Sequence, residues 1–207
     1  QKGLFLAKVK EICPETVETC DLEGVLPEGI LYAANQLDAT AEYLREQKVD
    51  ALFMPHCDFG CEEVVGRLGA MMKLPVLVWG NRDPYPTPGA RDRDTQCGTL
   101  ASTKCLQRYR VPFSYIINSD VDGEMLKKGF VDFCAVAAVV KKAKGMRILQ
   151  VGSRPQPFLS VIYNEDELLR NFGIEVTPYS SAILALDIKK ILANRAELME
   201  RPTQLRD

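Results

Sequence analysis

The order of apolar and polar positions along this chain alternates between short apolar runs and longer amphipathic segments. Four apolar runs bounded by turn residues predict buried β-strands, at 49–55, 74–80, 111–118 and 146–152. Two further strands are predicted, a fifth at 173–179 and a weaker sixth at 16–22. Because the first four runs are almost continuously apolar, they are typical of a parallel sheet covered on both faces.

The segments between the runs carry the period of amphipathic helices. Helices are predicted at 38–47, 61–73, 93–109 and 164–173. The last of these has the clearest ends, with Asn164 as N-cap, Glu167 three residues on and Gly173 as the stop. The chain also begins with a predicted amphipathic helix whose apolar face carries Leu4, Phe5, Val9 and Ile12.

This alternation indicates an α/β fold, a Rossmann/flavodoxin-like parallel sheet followed by the start of a second α/β domain. The segment 129–145 is apolar on almost every side, so we expect it to be buried between layers or domains, with a boundary at its end. The two predicted domains are 1–145 and 146–207. No strand precedes the first helix and only two follow the boundary, so we expect a first domain without its first strand and a truncated second domain.

Composition and charge exclude several classes of function. The 207 residues carry a net charge of −2, which gives no electrostatic reason to expect a nucleic acid or an anionic membrane as partner. No apolar run approaches the roughly 20 residues that span a bilayer, and the N-terminus lacks a signal-peptide pattern. The seven cysteines have neither CxxC nor zinc-type spacing. We therefore expect free thiols and a cytoplasmic location.

Motifs for catalysis or phosphate binding are missing from the sequence. There is no GxGxxG and no Walker lysine loop. The paired carboxylates at 62–63 and 165–167 fall in first helical turns, where they complement the helix dipole. With a single histidine, no Ser/His/Asp or Cys/His pair can be assigned, so the sequence nominates neither catalytic nor metal-ligating residues.

Polar side chains collect where the predicted strands end. Ligands of open parallel sheets bind beyond the carboxyl ends of the strands, and the only histidine and only tryptophan both fall there. An aromatic face flanked by Asn, Arg and Asp is a common way to hold a sugar or polyol. These positions give five candidate substrate-binding residues: His56, Trp79, Arg82, Asp94 and Gln96.

Each candidate also has a purely structural interpretation. His56 could hydrogen-bond a neighbouring loop, Trp79 could cap the core at the end of the sheet, and Arg82 could form a surface pair with Asp83. The sequence leaves both interpretations open for each residue.

The stretch 93–109 has two interpretations as well. It follows a loop, 83–94, that three prolines stiffen, and loops of this length are often functional. Asp94 or Thr95 would cap the helix, and the N–H groups of its first turn would point toward the site, with Gln96 facing a ligand. The alternative is an ordinary helix start.

Several stretches resemble a known family. They read VDALFMPHCDFGCEEVVGRLG, PVLVWGNRD, RDTQCGTLASTKCLQRYRVPFSYI and RILQVGSRPQPFLSVIYNEDELLRNFGIEVTPYS. Over nearly all of residues 3–180 the chain is similar to the L-fucose/L-arabinose isomerase family, in particular its shorter fucose isomerase-like members. The resemblance implies a cytoplasmic aldose–ketose isomerase with three domains, the first of them a Rossmann-like sheet.

The resemblance also implies a metal and an oligomer. In that family Mn²⁺ polarises the open-chain sugar while acidic residues move a proton between neighbouring carbons. Its ligands, two carboxylates and a histidine, come from the second half of the family chain and have no counterpart here. Family members form trimers or hexamers in which the first domain reaches into a neighbour's active site.

Three functions are weighed on these grounds. The leading hypothesis is the N-terminal part of a metal-dependent sugar isomerase, inactive as this chain alone. The alternative is a non-catalytic sugar-binding or sensor module of the same fold. A flavodoxin-like or nucleotide-binding domain comes third, because the phosphate-binding glycines are missing.

Overall fold

A computed structural model of the chain describes residues 1–84 and 93–193. Helices and strands alternate along it, as the sequence predicts. The helices are α1 (Lys2–Ile12), α2 (Leu37–Glu46), α3 (Glu62–Met72), α4 (Thr95–Arg108), α5 (Glu124–Ala143), α6 (Glu165–Phe172) and α7 (Ser181–Ala193). The strands are β1 (Leu52–His56), β2 (Val76–Gly80), β3 (Phe113–Tyr115), β4 (Arg147–Val151) and β5 (Glu175–Tyr179).

The first three strands form one parallel sheet in the order β1-β2-β3, with helices on both faces. Successive side chains of a strand point to opposite faces. Val76 and Val78 of β2 therefore pack with apolar residues of α2, α3 and α4, whereas Leu77 and Trp79 pack with α1 and α5. All five residues of β2 are buried, which accounts for its unbroken apolar run. The predicted α/β fold class is confirmed.

The five stronger strand predictions all correspond to strands, each shorter than its apolar run. The sixth prediction is wrong, because residues 16–22 form no strand and are mostly exposed. β-Propensity alone does not make a strand, since the backbone N–H and C=O groups must find a ladder partner.

Helix α5 corrects a second expectation. It is buried along one stripe only, formed by Leu126, Phe130, Phe133 and Ala137. On its other sides Val136 and Val139 are 52% and 66% exposed. The apolar character of the segment is therefore not matched by burial on every side in this structure.

The chain divides into two compact units, Gln1–Lys141 and Lys142–Asp207. The second unit contains the parallel pair β4 and β5. Its helix α6 begins and ends as predicted: Asn164 accepts hydrogen bonds from the Asp166 and Glu167 amides, and Gly173 ends it in the left-handed conformation. Among its described residues Ile174 alone is buried. The predicted domain boundary at Gly145 stays a prediction.

In residues 1–84 and 93–193, no helix combines the length and apolar character needed to cross a membrane. The prolines of the predicted stiff loop lie mostly in 85–92, outside the described residues.

Candidate functional site

The carboxyl ends of β1, β2 and β3 form the edge where the sequence places its candidates. His56 and Gly80, the last residues of β1 and β2, lie side by side in the ladder. One step further, Asn81 pairs with Ser119, which follows β3. Helix α4 begins at the same edge, because the Thr95 Oγ1 lies 2.5 Å from the Asn81 carbonyl oxygen.

The loop after β1 is pressed against the first turn of α4. A Cβ atom at Gly98 would lie 1.8 Å from the Phe59 carbonyl oxygen, so only glycine permits this approach. The same loop turns at Gly60, whose φ of 73° is left-handed. Backbone contact therefore fixes the β1 loop against the start of α4.

Asp83 caps helix α4 from outside the helix. Its Oδ1 accepts hydrogen bonds from the Thr95 amide at 3.1 Å and the Thr95 hydroxyl at 2.7 Å, and its Oδ2 accepts one from the Gln96 amide at 3.1 Å. Burial alone raises the pKa of Asp83, but these hydrogen bonds and the charge of Arg93 together outweigh it and lower that pKa. The carboxylate is thus held ionised at the helix N-terminus.

The predicted capping by Asp94 or Thr95 is therefore wrong in detail. Asp94 occupies the N-cap position, but its φ of 55° is left-handed and its side chain accepts no capping hydrogen bond. An N-cap side chain reaches the first-turn amides from an extended backbone, which Asp94 does not have. Thr95 donates to the cap through its hydroxyl and does not itself accept.

His56 is 5% exposed and ties β1 to α4. Its Nε2 lies 2.8 Å from the Ser102 Oγ, and its Nδ1 lies 3.4 Å from the Met54 carbonyl oxygen. Burial lowers the pKa of His56, and this effect exceeds the opposing influence of the Met54 carbonyl and of Asp58. A neutral ring fits these partners, with Nδ1–H donating to Met54 and Nε2 accepting from Ser102. The ring links β1 to α4, whereas the structural interpretation expected a bond to a neighbouring loop. Its predicted ligand role stays a prediction.

Trp79 departs from its predicted role. Its side chain is fully buried, packs edge-on against Phe5 at a centroid distance of 5.0 Å, and donates from Nε1 to the Ser119 Oγ at 3.0 Å. It also points to the sheet face opposite His56, because Trp79 pairs with Pro55 in the ladder and packs with α1 and α5, whereas His56 contacts α4. The indole therefore offers no free face to a ligand in this chain; it caps the core at the sheet end.

Arg82 and Gln96 are both exposed at this edge, and Asp94 is half-buried. The Arg82 amide donates to the Ser119 carbonyl at 3.0 Å, which fixes its backbone to the end of β3. Gln96 is fixed by its amide bond to Asp83, the residue next to Arg82. The structure thus brings the Arg82 and Gln96 backbones together around one carboxylate. Their roles in binding stay predictions.

The polar interior of the site was missed by sequence reasoning. Thr95, Thr99 and Ser102 are fully buried on the face of α4 toward the sheet. Thr99 donates to the Asn118 Oδ1 at 3.1 Å, and the Tyr115 hydroxyl donates to the same oxygen at 2.8 Å. The signal was present, since the i, i+4, i+7 spacing of these hydroxyl residues places them on one helix face.

The described residues do not fit a metal ion. In 1–84 and 93–193 no three His, Cys, Asp or Glu side chains are grouped to hold one. Both ring nitrogens of His56 already have protein partners. The cysteines are free thiols, as predicted, and burial raises the pKa of Cys57, which opposes the thiolate form that binds metals.

Comparison with known proteins assigns the chain to a family. Residues 3–144 match the sequence model of the fucose/sulfoquinovose isomerase N-terminal domain. The chain belongs to the fucose/sulfoquinovose isomerase family. The predicted resemblance to fucose isomerase-like proteins, over their N-terminal portion, is thereby confirmed.

Two curated relatives of the fucose/sulfoquinovose isomerase family are similar to this chain. Both are sulfoquinovose isomerases, from Priestia aryabhattai and Priestia megaterium. Each is 24% identical over 151 residues, which cover 72% of this chain and 33% of the relative. The match therefore spans about a third of the length of these relatives.

Proposed function

We propose that this chain is the N-terminal part of a metal-dependent aldose–ketose isomerase and contributes to a sugar pocket that a neighbouring subunit completes. The observation that carries the proposal is the family match over residues 3–144. The names of the two relatives point to a sugar as the substrate class. The parent protein is an oligomer in this proposal, and its sugar meets the carboxyl edge of the β1-β2-β3 sheet.

The described side chains suit binding better than bond making. Arg82 and Gln96 are exposed and can hydrogen-bond sugar hydroxyls, while Asp83, next to Arg82, accepts a hydrogen bond from the Gln96 amide. His56 is buried, neutral and paired with Ser102, so it is not placed to move a proton between substrate carbons. We assign this chain the task of orienting the sugar and excluding water from one side of the pocket.

The metal belongs elsewhere in the proposal. Mn²⁺ does not fit the residues described here, so we derive no step through it. Its ligands, and the acids and bases of the isomerisation, would come from polypeptide outside residues 1–207. The chain alone is then expected to be inactive.

The test uses the parent protein with residues 1–207 in place. Ketose formation is assayed from L-fucose, L-arabinose and sulfoquinovose, with and without Mn²⁺. Arg82→Ala and Gln96→Ala should each raise KM about tenfold or more, equivalent to about 1.4 kcal/mol of lost binding. Arg108→Ala and Gln107→Ala are matched controls, since both are exposed at the opposite end of α4, and should change KM less than about twofold.

The alternative function is a non-catalytic sugar-binding or sensor module. It predicts saturable binding of one of these sugars, measured by calorimetry, with no turnover at any Mn²⁺ concentration. Turnover supports the isomerase and binding alone supports the sensor. If the protein shows no sugar binding and no turnover, both proposed functions are wrong.

A further inference from the structure

Buried polar atoms without a hydrogen-bond partner are rare in proteins, because an unpaired group away from water costs free energy. In the described ranges 1–84 and 93–193, two side-chain atoms are in this state, Thr40 Oγ1 and Asn118 Nδ2. Thr40 lies within helix α2. Asn118 follows β3 and is next to Ser119, which pairs with Asn81 at the carboxyl edge of the sheet. A hydrogen-bond partner is therefore missing at the edge where we expect a ligand.

The other polar atom of the Asn118 amide is held by the protein. Its Oδ1 lies 3.1 Å from the Thr99 Oγ1 and 2.8 Å from the Tyr115 hydroxyl oxygen. Thr99 is fully buried and Asn118 is only 9% exposed. The amide is thus fixed in place from one side, while its second polar atom has no partner on the other.

A half-turn of the Asn118 amide does not remove the unpaired group. The turn exchanges the positions of Oδ1 and Nδ2. The hydroxyls of Thr99 and Tyr115 can both donate and accept, so they pair with whichever amide atom faces them. The atom on the opposite side is an N–H donor in one orientation and a carbonyl acceptor in the other. A hydroxyl group of a ligand fits both orientations, whereas an ionised carboxylate, which only accepts, fits the donor alone.

The unpaired amide atom lies where β2, β3 and α4 of the candidate site meet. A Cβ atom at Gly80, the last residue of β2, would lie 2.6 Å from the Asn118 Nδ2, so no side chain separates the amide from the end of β2. The Thr99 Oγ1, on the other side of the amide, also lies 2.9 Å from the Gln96 carbonyl oxygen. Asn118 therefore lies one turn of α4 below Gln96, which we propose binds the sugar.

We propose that the side-chain amide of Asn118 hydrogen-bonds one hydroxyl of the sugar, and that this residue thereby determines which sugars bind. The inference rests on the proposed function, since it takes a sugar as the ligand. Tyr115 contacts the amide and is 38% exposed, so a small turn of its ring opens the amide to the sugar. A site built to pair with a hydroxyl rejects a sugar that lacks it, because the buried amide atom is then left without a partner.

The test combines Asn118→Ala with ligands that lack one hydroxyl. The probes are the reduced forms of L-fucose, L-arabinose and sulfoquinovose, which have no carbonyl and cannot be isomerised, and derivatives of each without a single hydroxyl. Calorimetry on the parent protein, with residues 1–207 and Mn²⁺ in place, measures the Kd of each. Wild type should bind one derivative at least tenfold more weakly than the complete reduced sugar. Asn118→Ala should weaken binding of the complete reduced sugar at least tenfold and change the Kd of that derivative less than about twofold.

Tyr115→Phe is the matched control for this network. It removes the hydroxyl that contacts Asn118 Oδ1 and leaves the unpaired amide atom in place, so it should change the Kd of every ligand by the same factor. Asn118→Ser is a second variant, whose shorter side chain should give the same pattern as Asn118→Ala. Thermal unfolding identifies the variants that remain folded.

The outcomes separate this inference from the proposed function. Equal weakening of every ligand by Asn118→Ala and Asn118→Ser would mean that the residue only supports the fold, and would overturn the inference. An unchanged Kd for the complete reduced sugar would overturn it as well, as would the absence of binding by every reduced sugar. The turnover assay on the three aldoses decides the proposed function independently of these results.

Discussion

The His56 side chain makes the stability of the first unit depend on pH. Its folded pKa lies below the ordinary value of 6.5, so the unfolded chain takes up a proton first as the pH falls. Stability from the neutral ring is complete above pH 6.5 and declines below it, by at most about 1.4 kcal/mol per pH unit. Urea unfolding should show the difference between wild type and His56→Gln shrinking from pH 7.5 to pH 5.5. A constant difference would contradict this pH dependence. Because the chain has no second histidine, no other imidazole contributes to the change.

Ser102 supplies a further test of the His56–Ser102 hydrogen bond. Ser102→Ala removes the donor to Nε2 and leaves a buried nitrogen unpaired, which costs about 1–3 kcal/mol. Thr103→Ala on the neighbouring, less buried position should cost less than about 0.5 kcal/mol. Equal losses in urea unfolding for the two variants would show that the His56–Ser102 hydrogen bond adds nothing.

Asp83 is expected to stabilise the start of α4. Asp83→Ala should lower the free energy of unfolding by about 1–2 kcal/mol, because three hydrogen bonds to the first turn are lost. Asp83→Asn should recover part of this loss, since its amide oxygen still accepts. Asp132→Ala, which removes an exposed ion pair with Lys128, is the control and should cost at most about 0.5 kcal/mol.

The Asp83 contribution has its own pH dependence. Because the folded pKa is lowered, the stabilisation is complete above the ordinary value of 3.8 and is lost as the pH falls through the folded pKa. The gap between wild type and Asp83→Ala should therefore narrow as the pH falls below 3.8 and stay constant near neutrality. A gap that does not narrow in acid would mean that the cap does not require the charge.

At the residue scale the sequence predicted positions better than roles. All five candidates lie at or near the carboxyl edge, because strand ends can be read from apolar runs. The direction of a side chain at a strand end depends on the register of the strand. In β2 this register points the Trp79 side chain into the core. The cap from Asp83 was hidden for another reason: it reaches Thr95 across 12 residues of chain, beyond the range of local capping rules.

At the scale of elements, we expect the junction between α4 and the β1 loop to be the least tolerant of substitution. Gly98→Ala places a methyl group against the Phe59 carbonyl and should cost about 1–3 kcal/mol or more. Gly3→Ala is the matched control, because it is also helical and its Cβ would meet nothing within 4 Å. That variant should stabilise the protein by up to about 1 kcal/mol. Thermal unfolding of both variants measures the contrast, and equal losses would contradict the close approach.

Element type was predictable because buried parallel strands and amphipathic helices leave strong periodic signals. The failures share a physical cause. Residues 16–22 and helix α5 both have the composition of buried elements, yet burial depends on neighbours that composition cannot supply. Sequence pattern reports what a segment can bury, whereas pairing partners decide what it does bury.

At the scale of the whole chain, the two units should differ in protection. The first contains two buried clusters around its sheet. The described part of the second buries Ile174 alone and exposes large apolar side chains along β4, α6 and α7. Amide exchange followed by mass spectrometry should therefore show β4 and β5 exchanging at least tenfold faster than β2. Equal protection in both units would contradict this.

The contact between Gly98 and Phe59 has a mechanical consequence. Backbone touches backbone there, with no side chain in between to absorb a displacement. A displacement of the exposed first turn of α4 is therefore transmitted directly to the loop that follows β1. We expect the two segments to move together. A ligand that displaces Gln96 is therefore expected to displace Phe59 as well.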